Sequence, residues 1–137
     1  MPDAKLSLFK SGLIFVGAGS GGLLRYWIGG LIQNWWGPTF PIGTLVVNLT
    51  GCLAMGFLAT AWMGPILIRE EFRSAILVGI IGGYTTFSSF GFETITLARQ
   101  GECWRAGVYV IASVAISLLA VWAGGAIAIK LFGANGS

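Results

Sequence analysis

Apolar residues fill this chain in four long runs, separated by short stretches that are polar or rich in glycine, proline and tryptophan. A helix needs about 20 mostly apolar residues to cross a bilayer core, and every run is that long. The pattern predicts four spans near residues 8–32, 42–63, 71–98 and 105–132, within a single domain covering 1–137. Short connections make consecutive spans antiparallel neighbours in a compact bundle. The third run carries a flaw, Gly82-Gly83-Tyr84-Thr85-Thr86-Phe87-Ser88-Ser89-Phe90-Gly91. Each glycine weakens a helix by roughly 1 kcal/mol relative to alanine, and the two β-branched threonines lose side-chain freedom in one. A break is therefore expected inside the third span. Freed backbone groups at such a depth must be satisfied by protein or by a water-filled cavity. Unwound carbonyls suit cations, and half-helix N-termini suit anions.

Polar residues inside the runs are few and unevenly placed. Thr44 and Asn48 lie four apart early in the second run, and Tyr109, Ser113 and Ser117 keep the same interval early in the fourth. A repeat of four holds a group on one helix face. Arg25, late in the first run, and Glu93, late in the third, approach the same membrane half, where they either pair or reach the interface. The other half is nearly dry, with Ser11, Thr60 and Ser74 as its main polar side chains. A polar track through half a bilayer conducts nothing by itself. An inverted second copy would supply the rest, which is a sequence-level motive for an antiparallel homodimer.

Composition sharpens this picture. Hydrophobic residues make up 55% and charged residues 9%, against a usual charged share of about 25%. The mean hydropathy is +0.83, so an integral membrane protein is expected. The net charge of +3 contains no basic run that could track phosphates, which argues against nucleic-acid binding. With no histidine and no paired cysteines, neither a zinc or haem site nor a histidine-based nucleophile is available, so catalysis is not expected. Cys52 and Cys103 sit at different depths and read as free thiols.

Lys5 and Lys10 ahead of an apolar core resemble a secretory leader, but the apolar pattern runs on to Ile32 and suits a span better. Gly17 and Gly21 form a GxxxG pair that admits close helix approach. Five cations, Lys5, Lys10, Arg69, Arg73 and Lys130, fall on the side of the termini, against Arg99 and Arg105, and Arg25 if it flanks. So modest a bias leaves insertion in both orientations open.

The run Gly82-Gly83-Tyr84-Thr85-Thr86-Phe87-Ser88-Ser89-Phe90 with Glu93 beyond it resembles the third-span signature of the Fluc (CrcB-type) fluoride channels. Gly43-Thr44-Leu45-Val46-Val47-Asn48 resembles that of the second span, and Arg25 after Gly21-Gly22-Leu23-Leu24 that of the first. The resemblance covers nearly the whole chain. It implies an all-α integral membrane protein with four transmembrane helices, the third broken mid-membrane, assembled as an antiparallel, dual-topology homodimer in the inner membrane. It implies Phe87 and Phe90 beside each pore, with Asn48, Ser113 and Ser117 donating to fluoride, and Arg25 near an aqueous vestibule. Thr44, Tyr109, Ser88 and Glu93 are further candidates for the path. It also implies a structural sodium ion (Na+) at the dimer centre, held by the backbone carbonyls of Gly82 and Thr85. Gly91 stands where members often carry serine, which removes one hydroxyl after Phe90.

The chemistry agrees with this resemblance. Fluoride is small and strongly hydrated, so a pore must replace its water with amide and hydroxyl donors. The positive edges of aromatic rings offer weaker stations. Passive, fluoride-selective export that relieves toxicity is the favoured reading. The alternative is a proton-coupled exporter of the small multidrug type, but no carboxylate occurs between Leu6 and Ile32 to serve it. A purely structural subunit would explain the GxxxG pair but not the polar stripes.

Overall fold

The computed structural model describes residues 4–64 and 66–133. Four helical crossings are long and apolar enough to traverse a membrane. They are α1 (Ala4–Trp36), α2 (Ile42–Ala61), a segmented third crossing, and α6 (Cys103–Phe132). The third crossing runs through α3 (Glu70–Ser74), a π-helical stretch (Ala75–Ile81), α4 (Gly82–Tyr84) and α5 (Phe87–Arg99). The chain is a multi-pass membrane protein. Phe15, Ile111, Leu118 and Trp122 lie on its outer surface, where only lipid or another protein can shield them from water.

Helix ends follow local chemistry. Gly37, Gly101 and Gly133 adopt positive φ (96°, 82° and 59°) where helices stop or turn, a conformation in which a side chain would be strained. Pro41 precedes α2, where its missing N–H costs no helical bond. α1 outlasts the predicted 8–32 at both ends, because helix continues past the apolar core as far as backbone bonding allows. The other three crossings match their expected ranges to within two residues.

Glycine governs the packing. The buried residues of α1 are Gly17 and Gly21. A Cβ on Gly17 would stand 2.5 Å from the Ala75 carbonyl, and one on Gly21 would collide with the Ile80 carbonyl. The GxxxG pair thus seats α1 on the third crossing of the same chain. Gly56 and Gly124 do likewise between α2 and α6, each against backbone of the opposite helix. Small residues let backbones close where no hydrophobic drive exists between helices in lipid.

The helix break falls inside the expected stretch. Gly82 and Gly83 remain helical, and Gly83 lies against Ala18 of α1. The interruption falls at Thr85 and Thr86, both extended, with ψ of 158° and 124°. The glycines serve close approach, and the β-branched pair carries the break. The π-helical turn has no counterpart in the expected pattern. It packs on α1.

Candidate functional site

The break is closed by a side chain from another helix. Asn48 of α2 accepts from the Thr86 N–H (2.8 Å) and donates Nδ2 to the Thr86 carbonyl (3.0 Å). Its amide takes up the Thr86 N–H that the break frees and adds a second donor to the Thr86 carbonyl, which as the N-cap carbonyl of α5 also accepts within that helix. The Thr85 carbonyl accepts from the Arg25 guanidinium at 3.4 Å. The Thr86 hydroxyl accepts from the Ser89 N–H (3.1 Å) and so caps the start of α5. Buried backbone groups demand such partners.

Below this splint runs a chain of polar side chains. Glu93 accepts from the Thr44 hydroxyl (2.7 Å) on one carboxylate oxygen and from the Tyr109 hydroxyl (2.6 Å) on the other. Short bonds to a carboxylate are among the stronger hydrogen bonds. Tyr109 is fully buried, and its ring packs on Phe40 and Phe90 with centroids 5.4 Å and 5.3 Å away. Phe87 continues the aromatic series, 5.4 Å from Phe90.

Two cavities flank this line. One, of about 400 Å³, is lined by Arg25, Gln33, Thr44, Thr86, Ser89 and Glu93 among others. The other, of about 180 Å³, lies between Asn48, Phe87, Phe90, Ser113 and Ser117. The Ser113 hydroxyl lines the smaller cavity and, among the described residues, is the buried side-chain polar atom without a hydrogen-bond partner. A buried polar group left unpaired costs about 1–3 kcal/mol, and this one faces the cavity.

Residues 12–125 match the family described as "CrcB-like protein, Camphor Resistance (CrcB)". The chain belongs to the CrcB family. Several relatives carry the name "Fluoride-specific ion channel FluC". That of Methylococcus capsulatus is 40% identical over 126 residues, covering 92% of this chain and 54% of its own length. Those of Paramagnetospirillum magneticum and Rhodospirillum rubrum are each 45% identical, over 114 and 116 residues. These alignments cover 82% and 81% of this chain and 89% of either relative. The chain spans about half of the first protein and most of the other two. Nothing in these names supports the coupled-exporter alternative.

In this CrcB chain the sequence-predicted residues largely converge. Thr44, Asn48, Phe87, Phe90, Glu93, Tyr109, Ser113 and Ser117 meet along one line or its flanking cavities, in the half near the first and third connections. Ser88 does not join them. It is exposed, bonds only toward Thr86, and lines neither cavity; Ser89, one residue on, faces the larger one. Arg25 and Glu93 share a cavity but form no ion pair among the described residues: Arg25 bonds to the Thr85 carbonyl and Glu93 to the Thr44 and Tyr109 hydroxyls. Sequence reasoning missed Gln33 and the splinting of the break by Asn48. Gln33 was legible only as an amide in an uncharged connection. The Asn48 role needed the third crossing to be placed beside α2.

Proposed function

We propose that the chain is a passive, fluoride-selective channel that exports fluoride across the inner membrane and relieves its toxicity. The observation that carries this reading is the cavity where the unpartnered Ser113 hydroxyl stands with Asn48, Phe87 and Phe90. Asn48 spends one Nδ2 hydrogen on Thr86 and keeps the second for an anion. Ser113 and Ser117 add hydroxyls, and the rings of Phe87 and Phe90 add polarised edges, so a dehydrated fluoride meets donors without a tight cage. Arg25, in the larger cavity, raises the local anion concentration. Each Glu93 carboxylate oxygen accepts from one hydroxyl, which holds Thr44 and Tyr109 in place. The protein makes and breaks no covalent bond.

Two antiparallel copies complete the path across the bilayer, with the broken third crossings meeting mid-membrane. A sodium ion between them is held by the carbonyls of Gly82 and Thr85. The donor set fits: Thr86 N–H, the partner that the Gly82 carbonyl would have in a continuous helix, is turned to Asn48. The Thr85 carbonyl keeps a second lone pair beside its bond to Arg25. The ion would satisfy these oxygens and tie the copies together.

Reconstituted protein in liposomes tests the reading. Fluoride should leave without a proton gradient while chloride stays, and Phe87→Ile or Phe90→Ile should lower the flux by roughly tenfold or more. Equal passage of chloride, or flux that needs a proton gradient, refutes it.

A further inference from the structure

Outside the polar line, one side chain makes an unusual set of bonds. Gln33, near the end of α1, donates Nε2 to the carbonyls of Gly37 (2.6 Å) and Phe40 (2.9 Å). Its Oε1 accepts from the Gly43 N–H at 3.1 Å. Only one orientation of the carboxamide works, since the reverse would set oxygen against two carbonyls. Gly43 belongs to the first turn of α2, whose N–H groups have no helical acceptor. The residue in cap position is Pro41, which offers no capping side chain. Gln33 therefore caps α2 from a different helix and at the same time ties down the connection between them. Thr44, directly after Gly43, is the residue that donates to Glu93. Gly43 itself is pressed against Gly29, so the turn is gripped at two points of α1.

Gln33 also stands between cavities. It lines the one that holds Arg25 and a second of about 350 Å³ toward the connections, bordered by Thr39, Thr96 and Gln100; Glu93 lines both. We propose that Gln33 is a positioning residue for permeation: its carboxamide fixes the first turn of α2, and through it the Thr44 hydroxyl on Glu93, at the mouth of the anion path. This rests on the reading of that line as an anion pathway.

The geometry makes a specific demand. Gln33 acts through Thr44, so its effect on flux must vanish when the Thr44 hydroxyl is gone. Gln33→Met keeps the length and removes the bonds, and Thr44→Val removes the hydroxyl. Fluoride efflux from liposomes is measured for the full chain, both single variants and the double variant. We expect Gln33→Met to slow efflux about tenfold in the unaltered background and to add little in the Thr44→Val background. An equal slowing in both backgrounds, or none in the first, overturns the proposal. Gln33→Glu retains the acceptor for Gly43 but faces two carbonyls with oxygen, and it should behave like Gln33→Met. Amide exchange on the unaltered chain gives a readout that needs no variant: the Gly43 N–H should exchange slowly, and exchange as fast as that of an exposed turn overturns the clamp. A chain that passes no fluoride at all would sink the anion reading instead, and the exchange result would still judge the clamp.

Discussion

Ser113 and Asn48 show how a single side chain can be expensive for folding and still belong where it is. The Ser113 hydroxyl belongs to a residue only 7% exposed and lacks a partner. Ser113→Ala should therefore leave thermal stability unchanged or raise it, by about 1 kcal/mol, while fluoride efflux falls. Loss of stability with normal efflux would make Ser113 a packing residue. Asn48 differs because its amide closes the break. Asn48→Asp keeps the acceptor for the Thr86 N–H but turns a carboxylate oxygen toward the Thr86 carbonyl. It should cost about 1–3 kcal/mol in unfolding measurements and slow fluoride by like-charge repulsion. Unchanged stability would mean that the splint is unimportant. Both residues were readable as polar positions at intervals of four. Their partners were not, because a period states which face a residue occupies and not what stands opposite.

At the scale of elements, the third crossing is held by what its glycines allow. Gly21 brings α1 against Ile80 and Tyr84, and Gly17 brings it against the π-helical turn. Gly21→Ala places a methyl where backbone already lies and should cost about 1–3 kcal/mol in thermal unfolding. Gly12→Ala, with nothing within 4 Å, is the matched control and should stay within about 0.5 kcal/mol. The GxxxG pair was legible as a close-packing device. That its partner would be the segment before the break, rather than a second molecule, was not. The break was legible to within the Gly82–Gly91 stretch, but not whether its glycines or its threonines would open. The helix continues through Gly82 and Gly83, whereas the Thr85 carbonyl turns to Arg25 and the Thr86 backbone to Asn48.

For the whole molecule, polarity is one-sided. The three cavities around Glu93 and Asn48 lie toward the first and third connections. At the opposite end Lys10 of α1 pairs with Glu70 at the start of the third crossing, and Arg69 pairs locally with Glu71. In the proposed dimer an inverted copy carries the path through the remaining half. Cysteine pairs introduced near the ends of α1 should cross-link copies only head to tail, and exclusively parallel cross-links would remove the dimer as drawn. Replacing sodium by a large organic cation should loosen that dimer in a subunit-exchange assay. Exchange at the same rate in both salts would leave the Gly82 and Thr85 carbonyls without the role proposed for them.

Sequence alone determined the membrane character, the four crossings, the membrane half that holds the polar groups, and the presence of a flaw in the third span. All of these depend on composition and on positions along one helix, and a linear pattern records both. Tertiary structure decided where the flaw opens, which groups close it, and that Glu93 gathers Thr44 and Tyr109 rather than Arg25. It also brought forward Gln33, whose importance lies wholly in three bonds to a connection and a neighbouring helix. Hydrogen bonds between helices depend on how the helices are rotated against one another. That rotation is set by which glycines let backbones touch, and it is fixed only when all four crossings pack at once.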